Sequence, residues 1–309
     1  QPVLVAEHEA LDDDAAAFLE RDVPWYAEHR DQREFGRVTV KLYADLDELR
    51  DRHASDVREA DAVIVGSFVP DGIAVGEWVL LTANGLTAFY DIDTPVTLAK
   101  LARGETDYIS APLIRRYDCY FSFTGGPTLT RLQRDYGAPA ARPLYCSVDP
   151  SLYFPEPQRS KWLLGYLGTY SVDRQPTLER LLLGAARDLP DEKFVVAGAQ
   201  YPRNVRWPDN VEHVAHLPPA QHRRFYNRQR FTLNITRADM IAAGYSPSVR
   251  LFEAAACGTP IISDVWDGID AFLTPGEEIL LARSLSELRS HLLKLSPDQA
   301  CEIGAAARR

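Results

Sequence analysis

Ser248-Val-Arg250-Leu-Phe-Glu253-Ala-Ala-Ala-Cys-Gly258-Thr-Pro260-Ile-Ile-Ser-Asp264 is the stretch that decides the fold of this 309-residue chain. Its first half has helical spacing from Ser248 to Ala256, Gly258 stops that helix, and Pro260 opens a short apolar strand, Pro260 to Ser263. The apolar run Phe231 to Ile235 reads as the preceding strand, and Ala243-Gly244-Tyr245-Ser246-Pro247 leads from it into the helix. A strand, a loop, a helix and a strand in that order make a unit of an open parallel sheet. Such sheets gather ligands beyond the carboxyl ends of their strands. Ser246, Pro247 and Ser248 can end the loop and start the helix with its first N–H groups and positive dipole end available to an anion such as a diphosphate. Ser246 to Glu253 spans about two helical turns, so a hydroxyl, Arg250 and Glu253 can border one ligand. A plainer reading makes a serine an ordinary cap and pairs Arg250 with Glu253. Glu253 lies beside an alanine face and needs hydrogen-bonding partners, which the hydroxyls of a ribose would supply. The alanines and Cys257 are explained equally well by close packing.

The same rhythm runs outward in both directions. Arg37 to Tyr43 alternates like a strand, Asp45 to Ala60 is helical in period, and Ala62 to Phe68 is a buried-strand run. Leu86 to Asp91 and Cys119 to Phe123 repeat the strand signal, Thr128 to Tyr136 is a helix closed by Gly137, and Arg142 to Val148 reads as another strand. Residues 150–160 (PSLYFPEPQRS) carry three prolines and no period, which suits an extended connector. Beyond it come Trp162 to Leu167, a helix from Gln175 to Asp188, Lys193 to Ala197 and a last helix from Ser284 to Leu295. The expected organisation is α/β, two doubly wound domains with mostly parallel sheets: residues 1–150, a linker at 151–160, and residues 161–309.

Bulk composition narrows the function. Hydrophobic residues make up 46% and charged residues 25%, values of a folded chain. The net charge of -10 argues against a nucleic-acid surface. No apolar run reaches the ~20 residues of a membrane span, so a soluble, cytoplasmic protein is expected. Cys119, Cys146, Cys257 and Cys301 lie far apart with no metal-type spacing, as free thiols would. The chain begins at Gln1 and its only methionine is Met240, so the first element of the fold reads as trimmed. No Gly-x-Gly-x-x-Gly follows a strand, which sets aside a dinucleotide-dependent dehydrogenase.

The opening stretch resembles the donor-binding signature of the GT-B glycosyltransferases. Phe89-Tyr-Asp91-Ile-Asp93-Thr-Pro95, Ser122-Phe-Thr-Gly125-Gly126-Pro127 and Leu144-Tyr-Cys-Ser-Val-Asp149 are similar to the CgeB-like, spore-maturation-type branch of that superfamily, which also occurs in bacterial biosynthetic clusters. The resemblance runs over residues 18–309. It implies two Rossmann-like domains facing a cleft, an N-terminal domain for the acceptor and a C-terminal domain for the donor. It implies transfer of a sugar, a hexose by preference, from a UDP, dTDP or GDP-type donor to a hydroxyl or amine of a small molecule or glycan. The nucleotide sugar is a substrate, and neither metal nor cofactor is expected. On this resemblance Ser246, Ser248, Val249 and Arg250 border the diphosphate and Glu253 holds the ribose, with Tyr245 beside them. Gly168, Thr169 and Arg174 follow the first strand of the donor domain, near the diphosphate. Gln200 and Tyr201 approach the nucleotide, and His216 and Leu217 read the base.

Asp91 and Asp93 form an Asp-x-Asp pair that could hold a divalent cation, as in the GT-A class, cap a helix, or supply the general base that deprotonates the acceptor. The resemblance favours the base. Trp25, Tyr26, Phe68 and Trp78 could form a platform for a ring-shaped acceptor or belong to the core. Three features depart from the family pattern. Tyr245 stands where many retaining members carry a second glutamate, no glycine-rich strand-loop is evident before Phe18, and no final helix is evident before Arg309. They keep two alternatives open, a non-catalytic nucleotide-sugar binding or scaffold protein and another sugar-nucleotide enzyme such as an epimerase. Self-association into a homo-oligomer is also left open.

Overall fold

The computed structural model describes residues 3–9, 12–20 and 38–309. The chain divides into two compact units, Gln1–Tyr145 and Cys146–Arg309.

The first unit holds seven strands: β1 (Val3–Glu9), β2 (Asp12–Glu20), β3 (Val38–Tyr43), β4 (Ala62–Gly66), β5 (Leu86–Asp91), β6 (Cys119–Ser122) and β7 (Ala141–Pro143). They lie in the order β3-β2-β1-β4-β5-β6-β7. Every neighbouring pair is parallel except those of β1, which runs antiparallel to both β2 and β4. Val63, Val65 and Phe89 are fully buried, as expected of strands covered on both faces. Asp45 starts the Leu46–Glu59 helix by accepting from the Glu48 N–H at 2.9 Å. Gly137, at φ 75, ends the Pro127–Tyr136 helix. The strand expected from Arg142 to Val148 is shorter than its apolar content suggested. The strand is Ala141–Pro143, and its last bond to β6 runs from the Leu144 N–H to the Ser122 carbonyl at 2.8 Å.

The second unit has six strands: β8 (Trp162–Leu167), β9 (Phe194–Ala197), β10 (Val211–Val214), β11 (Gln229–Asn234), β12 (Ile261–Ser263) and β13 (Leu280–Leu281). Their order is β10-β9-β8-β11-β12-β13, and all pairs are parallel. The winding reverses between β8 and β11, so the two loops leaving these strands diverge and open a crevice at their carboxyl ends. All residues of β8 and β9 are buried. The helix over residues 175–188 contains a π-helical turn, Glu179–Leu183, which sets Leu181, Leu182 and Leu183 fully inside the core.

The proline-containing segment expected to be a connector is fastened to this second unit. Asn227 accepts from the Glu156 N–H at 2.6 Å and donates to the Phe154 carbonyl at 3.0 Å, and Arg223 pairs with Glu156 at 2.9 Å. A final helix is present after all, Pro297–Arg308, opened by a capping box between Ser296 and Gln299. It went unread because its core-facing residues are small, Ala300 and Gly304. Among the described residues no helix is long and apolar enough to cross a membrane.

The final helix packs against the turn after the Val249–Ala256 helix so closely that a Cβ on Gly304 would lie 2.1 Å from the Gly258 carbonyl oxygen. Gly304→Ala must therefore push the helix off its seat, at a cost of about 1–3 kcal/mol. Thermal denaturation should show a melting temperature lower by several degrees; an unchanged value would mean that this contact is not tight.

Candidate functional site

The crevice of the second unit is organised by Arg250, in the first turn of the Val249–Ala256 helix. One guanidinium nitrogen donates to the Leu167 carbonyl at 3.2 Å and the other to the Ile235 carbonyl at 3.0 Å. Nε reaches the Asn234 side-chain oxygen at 3.5 Å. These acceptors stand at the ends of β8 and β11, so one planar cation bridges the point where the winding reverses. A guanidinium has about five donors, so part of the fork remains for a ligand. Arg250 does not pair with Glu253.

Asn234, almost fully buried, is the hub beneath it. Its oxygen accepts from the Ser248 hydroxyl at 2.8 Å, and its amide donates to Ser263 Oγ at 2.9 Å and Thr236 Oγ1 at 3.3 Å. Asp264 fixes the β11 end further, accepting from the Thr236 N–H and hydroxyl, both at 2.8 Å. Burial raises the Asp264 pKa against these hydrogen bonds. Ser248 occupies the cap position of the helix, yet its hydroxyl is spent on Asn234 and makes no capping bond. The leading N–H groups of the helix are therefore not closed off by the Ser248 side chain. The loop before it is held by Tyr245, whose backbone is left-handed (φ 48) and whose N–H donates to the Asp267 carbonyl at 2.7 Å. Ser246 is buried and Val249 exposed.

Arg174 lies at the start of the helix after β8. It donates to the Thr169 carbonyl at 2.7 Å, while its buried Nε has no hydrogen-bond partner. Burial lowers its pKa, the Tyr166 and Asp173 side chains oppose that shift, and the nearby Arg250 charge adds to it. A guanidinium keeps its proton in proteins, so the shift expresses first the cost of burying this cation and second the nearness of the Arg250 charge. Asp173 does not neutralise Arg174 through a hydrogen bond. It takes the Ser171 hydroxyl and the Ala238 N–H instead. Gly168 is pressed against Gly198, where a Cβ would lie 2.1 Å from the Gly168 carbonyl oxygen. That carbonyl also accepts from the Tyr201 hydroxyl at 3.1 Å. Tyr201 belongs to an aromatic cluster with Tyr170, Trp207 and His213, so it shapes the loop from behind. Gln200 is exposed and left-handed at φ 67.

Glu253 is 8% exposed and enclosed by three side chains. Tyr226 donates to Oε2 at 2.8 Å, Tyr153 donates to Oε1 at 3.1 Å, and His222 Nδ1 lies 3.4 Å from Oε1. The other nitrogen of His222 is 3.2 Å from the Leu217 carbonyl, which ties the segment holding Leu217 and the exposed His216 to the carboxylate.

In the first unit the Asp-x-Asp pair is divided. Asp91 is fully buried, accepting from Tyr120 at 2.6 Å and from the Asp93 N–H at 3.0 Å. Of the two aspartates read as candidate bases, Asp91 is thus the enclosed one. Asp93 is half-buried at the start of the Thr94–Ala102 helix and makes no side-chain cap bond. β5 ends at Asp91 and the chain turns before Asp93, so the two aspartates stand in different elements. Among the described residues no group of three or more His, Cys, Asp or Glu side chains gathers in a way that could hold a metal ion. Phe68, left-handed at φ 64 and 48% exposed, tilts over Tyr108 at the end of β4. Trp78 packs against the core. Trp25 and Tyr26 lie outside the described residues.

The structure thus brings Gly168, Thr169, Arg174, Ser248 and Arg250 to one crevice and ties Leu217 to Glu253. Asn234, Thr236 and Asp264 were missed, although polar residues ending apolar strands were a usable signal. Tyr153, His222 and Tyr226 carried none, since they come from segments without periodic pattern.

Residues 174–309 match the protein family described as glycosyl transferase-like. No curated protein matches the sequence. Among solved structures, sucrose-phosphate synthase from Thermosynechococcus elongatus is similar with a TM-score of 0.64 and 15% identity, covering 95% of this chain and 82% of the other. HepE from Anabaena in complex with UDP-glucose gives 0.64 and 13% identity over 88% of this chain and 80% of its own. An alpha-glucosyltransferase in complex with UDP and a 13-mer DNA gives 0.62 and 12% identity over 92% and 89%. At these identities the likeness is one of fold: two Rossmann-like α/β units with mostly parallel sheets, of the GT-B kind.

Two outcomes follow from this geometry. Arg250→Lys keeps the charge but loses the fork to the two carbonyls, and should cost roughly 2 kcal/mol in urea denaturation; an unshifted midpoint would show that the bridge carries nothing. For Asp91, burial raises the pKa above the ordinary 3.8, opposed by hydrogen bonds from Tyr120 and the Asp93 N–H. The stabilising contribution of the protonated group is then complete below 3.8 and lost as pH rises through the elevated value. Asp91→Asn, uncharged throughout, should gain stability relative to the parent as pH is raised above about 4. Melting temperatures recorded across pH check this, and parallel curves for the two proteins would contradict it.

Proposed function

We propose that this chain is a glycosyltransferase that moves a sugar from a nucleoside-diphosphate donor to a hydroxyl or amine acceptor. The carrying observation is Arg174, with a buried unpartnered Nε and the Arg250 charge nearby, together with a helix start that its cap residue Ser248 leaves uncapped. That combination suits a diphosphate, which would take the remaining guanidinium donors and the leading helix N–H groups. As the bond to the sugar breaks, negative charge grows on the diphosphate, and the same donors stabilise it without reorganising. In this reading the positive charge comes from the protein, so the reaction needs no metal ion. Glu253, about one and a half helical turns further on, accepts from the hydroxyls of the nucleotide sugar ring. The finer assignment to the CgeB-like branch, with cytoplasmic action on a small molecule or glycan, belongs to the same reading. Asp93 is the candidate base on the acceptor side, and the exposed ring of Phe68 is a candidate surface for the acceptor.

The enclosure of Asp91 favours one competing reading, a nucleotide-sugar binding protein without transfer. Both readings require nucleotide binding, and only one requires product. The full chain should show a raised melting temperature with one of UDP, GDP, dTDP or ADP, and the rise should survive EDTA. Sugar transfer or donor hydrolysis, lost in Arg174→Ala, then decides between the two; a shift that EDTA abolishes would sink the metal-independent reading. Glu253→Gln preserves the shape around Tyr226 and should weaken nucleotide binding about tenfold. Equal affinity in a folded variant would remove Glu253 from the site.

A further inference from the structure

Where the chain leaves β8, three consecutive carbonyls are each held by a side chain from a different segment of the second unit. Leu167 accepts from Arg250 at 3.2 Å, Gly168 from the Tyr201 hydroxyl at 3.1 Å, and Thr169 from Arg174 at 2.7 Å. The N–H groups of the same stretch are not all paired. Gly168 donates to the Ala197 carbonyl at 2.8 Å and Tyr170 to the Ala199 carbonyl at 2.9 Å, at and just beyond the end of β9. Between them the Thr169 N–H donates to no group among the described residues, and Thr169 is exposed.

The direction of that N–H follows from the peptide plane. Every peptide bond among the described residues is trans, and the C=O and N–H of a trans peptide point to opposite sides. Tyr201, in the loop after β9, draws the Gly168 carbonyl toward that loop, so the Thr169 N–H of the same peptide points the other way. The neighbouring peptides agree. Their N–H groups face β9, which turns the Leu167 and Thr169 carbonyls to the opposite edge, where Arg250 and Arg174 hold them. Arg250 also holds the Ile235 carbonyl just beyond β11, so that edge is the crevice side. A Cβ on Gly168 would lie 3.1 Å from Arg250 Nη1, which sets this guanidinium against the Gly168–Thr169 peptide.

We propose that the Thr169 backbone N–H is a further donor to the diphosphate, and that Tyr201 is the residue that positions it. The inference rests on the reading of this crevice as a diphosphate site. Without the Tyr201 hydroxyl the peptide can rotate and present its carbonyl, a negative dipole end, to the same anion. With it, the N–H is aimed before the ligand arrives and needs no reorganisation as charge grows on the leaving diphosphate. A neutral donor also adds direction without a further buried charge.

Two measurements on the full chain test this. In an NMR spectrum of protein carrying isotopically labelled threonine, the Thr169 amide signal is identified by its absence from Thr169→Ser. It should move downfield on saturation with whichever of UDP, GDP, dTDP and ADP binds. Tyr201→Phe keeps the ring in its aromatic cluster and loses the hydroxyl; titration calorimetry should show that diphosphate bound about fivefold more weakly. The Thr169 signal of this variant should move less than in the parent, a change that a role in packing alone would not produce. Its melting temperature without ligand verifies that the fold is kept. A parent signal that stays in place under saturation overturns the inference and leaves the nucleotide reading intact. So does a Tyr201→Phe protein that binds as tightly as the parent. No binding by any of the four nucleotides overturns the nucleotide reading and this inference with it.

Discussion

The planar fork of Arg250 across the ends of β8 and β11 is the constraint on which the rest of the second unit depends. In a doubly wound parallel sheet the loops leaving these two strands diverge, and nothing in the ladder holds their last carbonyls. A guanidinium donating to Leu167 and Ile235 closes that gap with one rigid group. Because Arg250 sits in the first turn of the Val249–Ala256 helix, the same contact fixes where that helix begins. The position of Ser248 on Asn234, and of Glu253 against Tyr226, follows from that helix start. A lysine would supply the charge and lose the geometry.

The cost of this arrangement is electrostatic. Arg174 bears the cost of burial and, beside it, of the Arg250 charge, in a chain whose net charge is -10. The carboxylates of the neighbourhood are directed elsewhere: Asp173 to Ser171 and the Ala238 N–H, Asp264 to Thr236, and Glu253 to two tyrosines and a histidine. Cationic groups in a crevice that no carboxylate among the described residues engages by a hydrogen bond suit a site for an anion. The first unit shows the opposite economy. Asp91, the fully buried carboxylate among its described residues, is absorbed into the bonds from Tyr120 and the Asp93 N–H at the end of β5.

Much of the architecture was legible from residue pattern. β4 read as a continuous apolar run, as a strand covered on both faces of a parallel sheet should, and β5, β8 and β9 repeated the strand signal. The helix at Val249–Ala256 was legible from its period and its glycine stop. Elements with little apolar signal were not: β13 has two residues, and the Pro297–Arg308 helix turns alanine and glycine to the core. Segment 150–160 looked like a connector because its prolines break periodicity, yet Asn227 and Arg223 bind its backbone and side chains to the second unit.

By itself the sequence determined the alternation of strands and helices, the loops where a ligand would lie, and the residue types available there, because these depend on local period and spacing. It could not determine which polar groups satisfy one another. Arg250 was legible as a cation near a helix start, but its carbonyl partners lie 83 and 15 residues away. Glu253 was legible as a carboxylate in need of partners, but Tyr153 and Tyr226 reach it from 100 and 27 residues away. Hydrogen-bond valence is used up by whichever donors the folded chain brings within about 3 Å, so the choice of donors belongs to the tertiary structure.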